Sequence, residues 1–338
     1  MKILIYDDNP EYGGHQVMAC HGIEALASDP AVELVLMFNP ENRKLSEKFS
    51  NYPILEPTKN FRPLDLDLVL CIQGDIAQST KGIQAAKRAG IECISYLAIP
   101  HRMAEMGAKI GALRDGLNQR FIHAPDRFIV ISEIMKQILI ERGCTKPISV
   151  VQNGIVIPPS RKVMQHASHL TLGLLGRIEF NQKQQDFMAR TFSEFPEAFN
   201  NCQLLITGSG PDEAALRELI SGMENITLLP WQENPERFYE LIDFLMIPSR
   251  FEGVPLVMLE ALARGIPVIG SARDGMKDVL PEAWTFEPEN SQALATTFSN
   301  VQKTWLDDIG ALQEKVLAEH SLETFKENFC RAVTRSSS

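Results

Sequence analysis

The chain alternates short apolar runs with segments of helical periodicity, and it does so in two successive series. In the first half the runs are Ile3–Tyr6, Val32–Phe38, Leu68–Ile72, Ile91–Leu97, Phe128–Ile131 and Ile148–Val151. In the second half they are Leu172–Leu175, Gln203–Thr207, Thr227–Leu229, Phe244–Pro248, Val268–Gly270 and Trp284–Phe286. Runs this short and this apolar suit strands covered on both faces, as in a parallel sheet flanked by helices. Two series predict two Rossmann-like α/β domains, which suits a length of 338 residues. The break follows Val151-Gln152-Asn153-Gly154-Ile155, because Pro158-Pro159-Ser160 and the polar stretch 161–169 carry no core pattern. A last helix is expected over Leu322–Arg335, with Leu322, Phe325, Phe329 and Ala332 on one face. Periodicity alone lets it cap either domain.

The most specific segment is Ser249-Arg250-Phe251-Glu252-Gly253-Val254-Pro255-Leu256-Val257-Met258-Leu259-Glu260. It follows a strand-like run and opens a helix closed by Gly265. Pro255 suits the first turn, where its missing N–H costs nothing, so the N–H groups of Gly253, Val254, Leu256 and Val257 gather at the helix start. An anion placed there gains hydrogen bonds and the positive end of the helix dipole. Glu260 lies about 7 Å further along the axis, at ~1.5 Å per residue, the reach from a diphosphate to the ribose of the same nucleotide. Glu252, on the other side, would meet whatever hangs from the distal phosphate. A surface glutamate ahead of a helix and another on its wet face would show the same spacing.

The context Ser-x-x-Glu-Gly-x-Pro-Leu-x-x-x-Glu-Ala-x-Ala-x-Gly-x-Pro-Val resembles the donor-site signature of the retaining GT-B glycosyltransferases of family 4, through Glu252, Gly253, Pro255, Leu256, Glu260, Ala261, Gly265 and Pro267. The Val-x-Asn-Gly-Ile junction resembles that family as well. The resemblance implies two Rossmann-like domains facing each other across a cleft. Residues 1–155 plus a returning C-terminal helix, about 320–338, would form the acceptor side, and 156–319 the donor side. It also implies a retaining, metal-independent hexosyl transfer from a nucleotide sugar, with UDP-glucose the first expectation, to a saccharide or lipid-linked acceptor in polysaccharide or glycolipid synthesis.

Other sites join this reading. Gly173-Leu174-Leu175-Gly176-Arg177, followed by Lys183, ends a strand, so both cations can point beyond the carboxyl edge of the sheet. In the resembled family they neutralise the diphosphate; here the spacing is one residue longer and Gln184 stands where glycine is usual. Thr207-Gly208-Ser209-Gly210-Pro211 is a strand-to-helix turn whose Gly208 is assigned to the wall near the nucleoside. Trp231 and Gln232 follow the next strand, where the family reads the base; a half-buried core tryptophan is the competing reading of Trp231. In the first domain Tyr12-Gly13-Gly14-His15 opens a helix, and Gly13 and Gly14 allow close approach of the backbone to phosphate or acceptor. The turn is not Gly-x-Gly-x-x-Gly, which argues against a dinucleotide cofactor. His101 follows the run Ile91–Leu97 and Pro100; the resemblance assigns it to the transferred sugar, so that His101, Glu252, Arg177 and Lys183 form the expected catalytic set.

Composition narrows the partners. The formal charge is −10, with 17 basic and 18 acidic residues before residue 156, so nearly all the excess lies in the second half. That balance argues against nucleic acid. Six cysteines without Cys-x-x-Cys spacing read as reduced core residues of a cytoplasmic protein. No metal site is expected: Asp65-Leu66-Asp67 lies ahead of a first-domain strand, outside any donor loop. The opening apolar run is too short for a signal peptide or a membrane span. A basic amphipathic helix is expected over 102–120, with Met103, Met106, Ile110, Leu113 and Leu117 on its apolar face; it packs on the core or meets a membrane surface. A catalytically inert sugar-nucleotide-binding subunit and a sugar-nucleotide epimerase or phosphorylase on the same fold are the alternative functions.

Overall fold

The computed structural model describes residues 1–158, 168–231 and 234–335. It divides into two compact units, Met1–Gly154 with Leu322–Ser338, and Ile155–Ser321.

The first unit contains β1 (Lys2–Asp7), β2 (Glu33–Phe38), β3 (Ile54–Leu55), β4 (Leu68–Asp75), β5 (Glu92–Ile99), β6 (Arg127–Val130) and β7 (Ile148–Val150). Among the described residues they form one sheet in the order β3-β2-β1-β4-β5-β6-β7, with every neighbouring pair parallel. The strand interiors are mostly apolar because both faces are covered; Ile3, Leu4, Ile5, Val69 and Leu70 are fully buried, and Asp7 and Gln73 are buried polar residues toward the carboxyl ends of β1 and β4.

The C-terminal helix, Leu322–Thr334, belongs to this unit. Its Phe325, Phe329 and Val333 are buried. Phe329 meets Tyr96 edge to face with ring centroids 5.2 Å apart, and it fills the space that a side chain at Gly22 would need. The Arg127 guanidinium donates to the carbonyls of Ala332 and Val333 at 2.8 and 3.2 Å, placing a cation on the last carbonyls of the helix.

The second unit contains β8 (Leu170–Leu175), β9 (Cys202–Thr207), β10 (Ile226–Leu229), β11 (Phe244–Ile247), β12 (Val268–Ser271) and β13 (Thr285–Phe286). They pair in parallel in the order β10-β9-β8-β11-β12-β13. Counted within the unit, this is the 3-2-1-4-5-6 order of doubly wound sheets. Its topological switch point, where ligands bind beyond the strand carboxyl ends, falls between β8 and β11. A long helix, Ser291–Glu319, covers one face. Its Trp305 packs edge-on against Phe244, and its Gln313 donates to the Ala263 carbonyl at 2.8 Å. The two parallel-sheet domains agree with the sequence expectation.

One expectation is corrected. Residues 102–120 do not form a continuous helix. A loop leads to a helix at Gly111–Asn118, followed by a 3-10 turn, Gln119–Ile122. Gly107 and Ile110 take left-handed backbone angles, φ 73° and 51°, which interrupt any helix. Asp115 then folds the loop back, accepting from the Met103 and Ala104 N–H groups at 2.8 and 3.1 Å. Gly111 is required at this turn, because a Cβ there would lie 2.5 Å from the Ala104 backbone. Met103 and Met106 are buried, whereas Ile110, Leu113 and Leu117 are 71, 61 and 63% exposed. The expected single apolar stripe is thus split between the core and the surface.

Candidate functional site

In the second unit, the loops leaving β8 and β11 carry most of the charged residues singled out in the sequence, one loop on each side of the switch point. After β8 come Gly176 and Arg177, then a one-turn helix, Phe180–Lys183. Gln184 takes φ 54° and turns the chain into the next helix, Gln185–Glu194. After β11 come Ser249 to Pro255 and the helix Leu256–Ala263.

Lys183 and Glu252 meet, with Lys183 Nζ 2.5 Å from Glu252 Oε1. Glu252 is only 5% exposed. Its peptide is held in turn, because the Glu252 N–H donates to Asp274 Oδ2 at 3.0 Å. Gly275 closes this contact from behind; a Cβ there would lie 2.2 Å from the Gly253 carbonyl oxygen. Arg177 reaches outward, 47% exposed in its side chain, with Nε 3.5 Å from Glu179 Oε2. The Gln185 amide anchors its backbone by donating to the Arg177 carbonyl at 2.7 Å.

The helix begins at Leu256, with Pro255 as the extended N-terminal cap (φ −62°, ψ 125°), one residue later than expected. The N–H groups of Met258 and Leu259 reach back to the Pro255 carbonyl at 3.1 and 3.4 Å. Those of Leu256 and Val257, one step earlier, have no helical carbonyl to reach and form the positive end of the helix dipole. Gly253 and Val254 are buried beneath this start. Glu260 sits a little over one turn on, half-buried. Tyr239 Oη donates to Glu260 Oε2 at 2.6 Å and fixes that carboxylate, while Arg264 stacks on the Tyr239 ring at 4.5 Å. Burial first, and then the neighbouring Glu260 carboxylate, push the Tyr239 phenol well above its ordinary range, so it remains a donor.

Gly208 has a plain structural reason: a Cβ there would lie 1.8 Å from the Gly176 carbonyl oxygen. The Thr207–Gly210 turn therefore packs directly on the loop that carries Arg177, and the Gly176 and Ile178 N–H groups donate to Thr207 and Ser209 carbonyls. Trp231 is 52% exposed, which removes the core reading of its indole. Gln232 lies outside the described residues.

In the first unit, Gly13 caps the helix Gly14–Ala27, and the Gln16 side chain accepts from the Gly13 N–H at 3.1 Å. Among the described residues a Cβ at Gly13 would meet only Gln16 Oε1, at 3.7 Å. Asp7, at the end of β1, is buried beside this start; burial raises its carboxyl to about 7. His101 is buried beyond the end of β5, and its carbonyl and that of Pro100 both accept from Arg142 Nη1 at 2.6 Å.

Asp274 and Tyr239 escape a reading of motifs. Asp274 sits in a turn after β12 at φ 52°, unusual for a residue with a side chain, and a strand-to-helix turn ending in Asp-Gly was the available signal. Tyr239 lies in a short helix without a motif. Among the described residues no group of three or more His, Cys, Asp or Glu is arranged to hold a metal ion.

Comparison with known proteins gives the same region. Residues 169–303 match the family model described as Glycosyl transferases group 1. An uncharacterized glycosyltransferase of Haemophilus influenzae is 25% identical over 161 residues, 46% of this chain and 44% of that protein. The lipopolysaccharide 1,6-galactosyltransferase of Escherichia coli K12 is 27% identical over 219 residues, 61% of this chain and 56% of that protein. The chain thus matches about half the length of these curated relatives. The crystal structure of Anabaena HepE in complex with UDP and glucose superposes with a TM-score of 0.80 at 15% identity, over 99% of both chains, which shows a shared fold. Through residues 169–303 the chain carries the glycosyl transferases group 1 pattern, on the two parallel-sheet, Rossmann-like domains of GT-B glycosyltransferases.

Proposed function

We propose that the protein is a retaining, metal-independent hexosyltransferase that moves a sugar, glucose first among the candidates, from a UDP-sugar to a saccharide or lipid-linked acceptor. The observation that carries this reading is the start of the helix Leu256–Ala263, with Lys183 and Glu252 on one side and Glu260 a little over one turn beyond it. A diphosphate on the Leu256 and Val257 N–H groups gains the helix dipole, and Arg177 and Lys183 balance its charge. Glu260, held by Tyr239, accepts from ribose hydroxyls. Exposed Trp231 offers a face to the base. His101 and the Gly13–Gly14 turn are assigned to the transferred sugar and its acceptor.

Transfer with retention proceeds on one face of the sugar. The bond from the anomeric carbon to the phosphate oxygen breaks, the acceptor oxygen bonds to the same carbon, and its proton passes to the leaving phosphate. The Anabaena protein of the same fold crystallised with UDP and glucose, and one of the relatives is a lipopolysaccharide galactosyltransferase. Both favour this donor class and a glycan acceptor. Release of UDP from UDP-glucose, accelerated by a saccharide, tests the reading.

The acceptor side extends to a lipid surface. Among the described residues no helix is long and apolar enough to cross a membrane. Ile110, Leu113 and Leu117 nonetheless project from one short segment, with exposed Lys109 and Arg120 beside them. Ile110, β-branched, holds a left-handed conformation to do so. Aliphatic side chains rimmed by long cations suit the interface of an anionic bilayer. We expect co-sedimentation with phosphatidylglycerol vesicles at low salt, weak association with phosphatidylcholine vesicles, and loss of binding in Leu113→Ser/Leu117→Ser. Equal recovery of the wild type and this variant with phosphatidylglycerol vesicles would reject the contact.

A further inference from the structure

We infer that Glu252 holds Lys183 before the donor binds as a stand-in for its diphosphate, and that diphosphate binding moves the ammonium from carboxylate to phosphate, releasing Glu252 to the sugar. The inference rests on the donor-site reading above and adds to it an exchange of partners.

The two ends of the pair are unequally held. Glu252 is nearly sealed from water, its peptide N–H is tied to Asp274, and Gly275 packs against the next carbonyl. Lys183 ends a one-turn helix just before the left-handed turn at Gln184, and its side chain keeps 24% of its surface in water. Its four-carbon stem is the flexible element of the pair. A ligand that competes for this contact therefore draws the lysine away and leaves the carboxylate in place.

What remains is an anion in a dry pocket, next to the phosphates that took its partner. Such a stranded charge is costly unless hydrogen-bond donors reach it. Sugar hydroxyls on the distal phosphate are such donors, and UDP alone has none to offer. The exchange thus penalises UDP relative to UDP-sugar. It would favour substrate over product at the same phosphate site, which a fixed pair of cations cannot do.

The sign of the expected effect separates this device from an ordinary binding contact. Glu252→Gln keeps the shape of the side chain and removes both the competitor for Lys183 and the stranded charge. Titration calorimetry should show UDP binding about five-fold or more tighter than to the wild type, with the ratio of UDP-glucose affinity to UDP affinity reduced by a similar factor. Glu252→Ala removes the same charge and should change UDP affinity in the same direction, so the prediction stands on two variants. In a Lys183→Met background, which itself weakens UDP binding, the gain from Glu252→Gln should shrink to a fraction of its value. UDP binding that is unchanged or weakened in both Glu252 variants overturns the inference, as does a gain of full size in the Lys183→Met background. A wild-type protein with no affinity for UDP or UDP-glucose overturns the donor-site reading itself.

Discussion

Replacing Glu260 by alanine is expected to weaken UDP binding by about 10- to 100-fold, the loss of roughly 1.5–3 kcal/mol that hydrogen bonds to a charged acceptor contribute. The size follows from how the carboxylate is prepared. Tyr239 Oη holds one of its oxygens at 2.6 Å, and Arg264 stacks on the tyrosine ring, so little freedom is lost when ribose hydroxyls bind. The same contact warns of a side effect, because alanine leaves the buried Tyr239 hydroxyl with only a 3.5 Å approach to the Val257 carbonyl. Glu260→Gln separates the two effects. It keeps an acceptor for Tyr239 and so restores the melting temperature, but a neutral acceptor binds the ribose less strongly. Calorimetry of both variants checks this; full UDP affinity in folded Glu260→Ala would remove the ribose role.

Arg177→Ala is expected to reduce the rate of transfer by about 100- to 1,000-fold, the range found when one preorganised donor to a developing anion is deleted. The phosphate gains charge as the glycosidic bond breaks, so the guanidinium contributes more in the transition state than in the bound donor, and kcat should fall further than KM rises. The fold should survive, since the side chain is half exposed and its ion pair with Glu179 is long at 3.5 Å. Steady-state kinetics with UDP-glucose reads the split. A variant with unchanged kcat and a raised KM would make Arg177 a ground-state contact.

Much of the fold could be read in the sequence because a strand covered on both faces has little freedom in composition. The stretches 3–6 of β1, 68–72 of β4, 172–175 of β8 and 244–247 of β11 carry no charged or amide side chain, and the buried polar residues Asp7, Gln73 and Thr171 stand only at their ends. β3 leaves no trace in the sequence because Ile54–Leu55 is two residues long and has no period. The C-terminal helix showed its apolar face but not its neighbour, since docking depends on Gly22, Tyr96 and Arg127, far away in sequence. The segment 102–120 has i, i+3, i+4 spacing without a continuous helix because left-handed angles at Gly107 and at Ile110, not a residue that advertises such a turn, break it. In the second unit, motifs located Lys183, Glu252 and Glu260, but the supporting contacts from Asp274 and Tyr239 arise only when β12 and the helix Glu236–Leu241 fold beside them. Gln184 illustrates the same limit. It stands where glycine is usual, yet it adopts the left-handed angle a glycine would take, and Lys183 meets Glu252.

The proposed function is hexose transfer from a UDP-sugar through the site around Lys183, Glu252 and Glu260. The most direct measurement is the release of UDP from UDP-glucose by the purified full chain, with and without saccharide or lipid-linked acceptors and in the presence of a metal chelator. The expected result is UDP release that an acceptor accelerates and the chelator leaves unchanged, together with an α-linked product from the α-configured donor. Interconversion of the sugar without release of UDP, or tight UDP-glucose binding with no turnover across the acceptor panel, would contradict it.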